Sequence, residues 1–126
     1  MELYIGGAWQ GKSACAQKRH PQIEWIRGSA CTWEELCRAE GILGLQEYIA
    51  RALDEGTLPK NFAEKLFQAN PELVIVCREV GSGVVPLSHK ERIFRETTGR
   101  ICTQLAARCS LVVRVTCGLE MILKMI

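Results

Sequence analysis

The octapeptide GGAWQGKS, Gly6 to Ser13, fits the pattern G-x-x-x-x-G-K-[ST], a loop whose backbone N–H groups wrap a phosphate. Before it, Glu2–Ile5 is a short apolar run that reads as a strand. After it, Lys12 to about Arg19 reads as a helix that Pro21 stops. A strand leading in and a helix leading out is the setting this chemistry requires, because the positive end of the helix dipole then faces the anion. Gly6, Gly7 and Gly11 allow a tight turn and close approach, and Ala8, Trp9 and Gln10 complete the cradle. Lys12 is placed to reach the β- and γ-phosphates, and Ser13 to offer its hydroxyl to Mg²⁺. The competing reading is an ordinary glycine-rich turn with an exposed lysine.

Outward from the loop, strand and helix signals alternate. Ile23–Ile26 (IEWI) is a candidate second strand. Thr32-Trp-Glu-Glu35 has the form of a capping box and starts a helix at Thr32. Leu45, Ile49, Ala52 and Leu53 share a helical face, which carries that helix as far as Asp54, although Gly41 and Gly44 leave open a division into two shorter helices. Lys60–Ala69 predicts a further helix, ended by Asn70-Pro71. Leu73–Cys77 is a continuous apolar run, as expected of a parallel strand covered on both faces. Ser88-His-Lys-Glu91 is a second capping pattern, opening a helix with Ile93, Phe94, Thr97, Ile101 and Leu105 on one side. Leu111–Thr116 predicts another buried strand, and the C-terminal GLEMILKMI a last one. The expected fold is α/β: a single P-loop NTPase-like domain over residues 1–126, an open and mostly parallel sheet with helices on both faces.

A loop that holds phosphate transfers it only with further support, commonly a carboxylate at a neighbouring strand end. Asp54, the only aspartate of the chain, falls on a helix end. Glu24 and Glu79 remain. Ligands in open α/β sheets sit outside the carboxyl ends of strands, which selects Glu79, directly after LVIVC and Arg78, as the catalytic carboxylate. The plain alternative is a loop carboxylate paired with Arg78 or Arg92.

Composition narrows the function classes. The chain has 126 residues, 16 Lys and Arg against 14 Asp and Glu, and a net charge of +2. That balance, without any long basic block, does not point to nucleic acid. Lys18-Arg19-His20 reads as positive side chains closing a helix. The N-terminal MELYIGG lacks a basic n-region and a long apolar stretch, which predicts no signal peptide, and no run reaches the ~20 apolar residues of a membrane span. The seven cysteines form no C-x-x-C pair and lack histidines at zinc spacing. Several, such as Cys77 and Cys117, lie in apolar runs. They read as core thiols of a cytoplasmic protein.

A second informative stretch is EVGSGVVP, Glu79 to Pro86, followed by HKERIFRETTGRICTQLA. Together with GGAWQGKS it resembles the adenosylcobinamide kinase / adenosylcobinamide-phosphate guanylyltransferase family of cobalamin biosynthesis. The matching residues are Gly6, Gly7, Ala8, Gly11, Lys12 and Ser13, then Glu79, Val80, Gly81, Gly83, Val85 and Pro86, then Arg95, Gly99, Arg100, Leu105 and Ala106, with Gly118 after the last buried strand. The resemblance implies nucleoside-triphosphate-dependent phosphorylation of a corrinoid, with GTP or ATP and Mg²⁺, and a homo-oligomer, since family members form trimers.

The chain also departs from that family, whose members are longer. They carry, between the two blocks, a histidine that becomes guanylylated. Here only His20 and His89 exist, and neither lies in a matching motif. Trp9-Gln10 replaces Arg-Ser in the loop, and Cys102-Thr103 replaces an Asn-Gln pair. These differences argue against guanylyl transfer. Three readings follow: a shortened kinase-type enzyme using Lys12, Ser13 and Glu79, a nucleotide-binding regulator without turnover, or a structural subunit paired with a longer relative.

Overall fold

The short apolar runs do become strands, and each alternates its side chains between two faces of one sheet. The protein is described by a computed structural model covering residues 1–80 and 88–126. Gly81, Gly83, Val85 and Pro86 of the second family block lie outside the described residues. In chain order the elements are β1 (Glu2–Gly6), α1 (Lys12–Arg19), β2 (Trp25–Arg27), α2 (Trp33–Arg38), β3 (Gly41–Leu43), α3 (Leu45–Glu55), α4 (Phe62–Ala69), β4 (Val74–Arg78), α5 (His89–Arg108), β5 (Leu111–Thr116) and β6 (Leu119–Met125). The strands form one sheet in the order β2-β3-β4-β1-β5-β6. All neighbours are parallel except β5 and β6, which form an antiparallel hairpin. This is the P-loop NTPase-like α/β arrangement.

Side-chain alternation divides the core in two. Leu3, Ile42, Ile75, Cys77 and Val112 point to one face, where α2, α3, α4 and α5 contribute Leu36, Leu45, Ile49, Phe62, Leu66, Ile101 and Leu105. Tyr4, Val74, Val76, Val113 and Val115 point to the other face and pack with Ala16 of α1. The period-2 pattern with apolar residues on both faces is that of a strand covered twice. After β1 the chain moves out to β2 and returns through β3 to β4 on one side of β1. It then crosses to β5 on the other side. The strand order thus reverses around β1, and the crevice beyond its carboxyl end has α1 on one face and α5 on the other. Open α/β sheets bind ligands at such a point.

Several expectations shift. Thr32 caps a helix as its capping box predicts: its hydroxyl accepts from Glu35 N–H at 3.1 Å and Glu35 Oε1 from Thr32 N–H at 3.0 Å. That helix ends at Arg38 and does not run on to Asp54: it is divided into two shorter helices, Trp33–Arg38 and Leu45–Glu55, as the glycines allowed. Gly41-Ile42-Leu43 intervenes as a strand between β2 and β4. Gly41 is required there because a Cβ would meet the Trp25 ring at 2.5 Å, and this close approach seals the edge pair. The second strand starts two residues later than IEWI suggests, at Trp25. Cys77 is buried as expected, whereas Cys117 is exposed. It forms a two-residue hairpin turn with Gly118, with φ of 53° and 73°, the positive-φ geometry that matches strand twist. Among the described residues no helix is long and apolar enough to cross a membrane.

Candidate functional site

The site grows from the end of β1. Gly6 leaves the sheet under a steric constraint: a Cβ there would stand 2.4 Å from the Val115 carbonyl oxygen of β5, so only glycine lets the loop depart. At the far end of the loop Gly11 adopts φ of 88° and starts α1 without any side-chain cap and with no acidic residue in the first turn. An uncapped helix start presents unsatisfied N–H groups and the positive end of the dipole, an arrangement suited to an anion.

The loop is braced from outside. Gln10 Oε1 accepts from the Cys117 N–H at 2.6 Å, and the Gln10 carbonyl from the Gly118 N–H at 2.8 Å. Both contacts tie the loop to the β5–β6 turn. Trp9, just before Gln10, stands at φ of 63° and is 99% exposed. Lys12 folds back across the loop and donates from Nζ to the Gly7 carbonyl at 2.8 Å. Burial holds its pKa below the usual lysine value, and the nearby Arg78 guanidinium pushes in the same direction. Two cations at one strand end without an intervening anion repel, and a phosphate between them would relieve that repulsion. Ser13 occupies the first turn of α1, half-buried.

Glu79 lies beside the loop. Its N–H donates to the Gly6 carbonyl at 2.7 Å, extending the β1–β4 pairing by one step beyond the last strand residue. Its Oε1 accepts from Arg114 Nη2 at 2.6 Å. Neither Arg78 nor Arg92 is that partner. Arg114 interrupts the apolar run LVVRVT, and a charge within a buried strand is the signal that could have identified it. A cavity of about 480 Å³ opens in front of these groups, lined by Gly7, Ala8, Arg78, Glu79, Glu91 and Arg95 among others. Gly7, Ala8, Arg78 and Glu79 thus border one space.

The histidines stand apart. His20 Nε2 lies 2.9 Å from Glu2 Oε1, at the opposite end of β1 from the loop. His89 is the first residue of α5 and borders a neighbouring cavity with Asp54 and Lys90. The thiols of Cys77 and Cys102 touch, Sγ to Sγ 3.6 Å, just below Glu79. No cluster of three metal-binding side chains occurs among the described residues.

A family model described as "Cobinamide kinase / cobinamide phosphate guanyltransferase" matches residues 45–123, more than half of the chain. The matched span runs from α3 to β6 and holds Glu79 and Arg114, while Gly6–Ser13 lies N-terminal to it. None of the curated proteins compared with the chain matches it.

Proposed function

The chain belongs to the cobinamide kinase / cobinamide phosphate guanyltransferase family, and from that premise we propose that it is a nucleoside-triphosphate-dependent phosphotransferase acting on a corrinoid alcohol of the adenosylcobinamide type. The observation that carries this reading is the meeting of the loop's Gly7 and Ala8 with Glu79 in one crevice, with the bond from Glu79 N–H to the Gly6 carbonyl beside it. Backbone N–H groups of Gly6–Ser13 and the start of α1 hold the phosphates of ATP or GTP. Lys12 neutralises the transferred phosphoryl group, where fixed charge is worth most. Ser13 and Glu79 supply hard oxygen donors, the ligand type that Mg²⁺ takes, and the two residues would hold it. Bound there, Mg²⁺ neutralises charge on the phosphate oxygens. Glu79 also orients the attacking hydroxyl.

One observation favours the alternative of a nucleotide-binding regulator or structural subunit without turnover: Glu79 already gives Oε1 to Arg114. A single assay separates the two. Incubated with adenosylcobinamide, Mg²⁺ and γ-labelled ATP or GTP, the enzyme moves label onto the corrinoid. Tight nucleotide binding without labelled corrinoid would establish the alternative instead.

The working form is a homo-oligomer in the cytoplasm, where free thiols stay reduced. The support for self-association is β6. Its two charged side chains are engaged within the chain: Glu120 pairs with Arg19 at 2.8 Å, and Lys124 donates to the Ala106 and Ala107 carbonyls at 3.1 and 3.0 Å. Apart from the paired Glu120, what β6 and its end leave exposed is apolar: Leu119, Met121, Ile122, Leu123, Met125 and Ile126. An apolar edge strand of this kind is a pairing surface. Met121→Glu is expected to weaken self-association by about tenfold or more, roughly 1.4 kcal/mol or above, seen as a shift towards monomer in sedimentation. A wild-type chain that stays monomeric at high concentration removes this part of the reading.

A further inference from the structure

Two of the chain's seven cysteines meet inside the fold at the edge of the site. Cys77, next to last in β4, points with Ile75 to the face of the sheet that α5 covers. Cys102 stands on α5 one turn past Thr98, in the stripe that holds Ile101 and Leu105, so it faces that strand. The two sulfurs lie 3.6 Å apart, across 25 positions of sequence. Their access to solvent differs. Cys77 is fully buried, whereas Cys102 is half-buried and lines a cavity of about 480 Å³ with Thr98, Gly99 and Thr103.

A buried cysteine ordinarily acts as a small apolar side chain, and packing alone accounts for a single thiol. Two thiols in contact, one of them open to a cavity, can also react with each other. A disulfide needs its sulfurs about 2 Å apart, so the 3.6 Å contact must close by roughly 1.6 Å. Cys102 has the room to move, because its side chain borders open space. Cys77 is enclosed, and its thiol donates to the Arg78 carbonyl at 3.7 Å.

We propose that Cys77 and Cys102 are a peroxide-reactive dithiol, a modification site that closes reversibly to an intrachain disulfide beside the phosphate-loop crevice. Hydrogen peroxide entering the cavity meets Cys102 first. The Cys102 sulfur bonds to one peroxide oxygen, the O–O bond breaks, and the thiol proton leaves with the other oxygen as water. The product is a sulfenic acid. The Cys77 sulfur then bonds to the Cys102 sulfur, the S–O bond breaks, and the Cys77 proton leaves with that hydroxyl as a second water. The two thiols are oxidised and the peroxide is reduced. A small dithiol reverses the bridge by exchange and is itself oxidised. Arg78 and Glu79 follow Cys77 directly, and both border the cavity at the phosphate loop. The bridge therefore fastens α5 to the strand end that carries them. Its formation needs only the two thiols and stands whether or not the chain transfers phosphate.

The test treats the folded chain with hydrogen peroxide, alkylates the thiols that remain, digests the protein and maps linked peptides by mass spectrometry. The expected product joins Cys77 to Cys102, is lighter than the two free peptides by two hydrogens, and separates on addition of dithiothreitol. In Cys77→Ala the bridge should be lost, and dimedone, which traps sulfenic acids, should label Cys102 several-fold more than in the wild type. Mapping of the wild type carries the test alone should the variant fail to fold. Folded wild type in which Cys77 and Cys102 both stay open to alkylation after peroxide would overturn the site. Linkage only through the exposed Cys117, or between Cys77 and Cys102 only after denaturation, would do the same. A folded Cys77→Ala chain whose Cys102 takes no more dimedone than the wild type would overturn it as well.

Discussion

Lys12→Ala is expected to slow phosphoryl transfer by about a hundredfold to a thousandfold, the range seen when one preorganised donor is removed from a transition state. Nucleoside triphosphate binding should weaken by roughly ten- to a hundredfold, as for loss of one charge-assisted contact. Two structural roles end together in this variant. Lys12 is the cation nearest the loop, and its Nζ also closes the loop on itself through the Gly7 carbonyl at 2.8 Å. Arg78 cannot replace it, because Arg78 stands at the end of the neighbouring strand β4 and not on the loop. The fold should survive, since Lys12 is the first residue of α1 and alanine is a strong helix former. The depressed pKa of Lys12 comes first from burial and then from Arg78. An incoming phosphate opposes both effects, so nucleotide binding should stabilise the wild type against heat more than it stabilises the variant. Calorimetry that gives equal affinities for the two proteins, with equal single-turnover rates, would remove Lys12 from the mechanism.

Much of the frame could be read from local signals. The loop, its flanking strand and the helix Lys12–Arg19 are contiguous and carry their own punctuation in glycine and proline. Thr32 and Ser88 announce helix starts through side chains that bond three residues onward, at Glu35 and Glu91. Leu111–Thr116 is a buried β-branched run and appears with those limits. What local pattern could not reveal depends on partners distant in sequence. β3 has only three residues, too few for a period, and it exists because β2 and β4 flank it. The same holds at the site. Gln10 is braced by the turn at Cys117 and Gly118, and Glu79 is paired with a residue 35 positions later. Gly6 was legible as a flexible loop residue, but the reason it must be glycine is a carbonyl on β5. Pattern places elements, whereas packing decides which side chains meet.

Incubation with α-labelled GTP and Mg²⁺ is expected to leave no covalent label on the chain. The guanylyl transfer that the family resemblance implies passes through a histidine, which must reach the α-phosphorus and be oriented by a partner. His20 has a partner, Glu2, but at the wrong end of the sheet. Glu2 begins β1 and the loop leaves after Gly6. Those four steps separate the two by roughly 13 Å at about 3.3 Å per strand residue. A rotamer change cannot cross that distance, and His20 closes α1 by donating its backbone N–H to Ala16. His89 is the credible substitute. It opens α5, and the cavity it borders shares Glu91 and Phe94 with the cavity at the loop. In the structure, however, it faces the space lined by Asp54 and Lys90 rather than Gly7 and Ala8. The measurement is acid-labile label retained by the denatured protein. Its absence, in a preparation that binds GTP, fits the proposed reading, in which Gly6–Ser13 holds the phosphates and no histidine serves as nucleophile. Stoichiometric label that disappears in His89→Ala would show instead that the start of α5 swings to the nucleotide and does the work of the missing histidine.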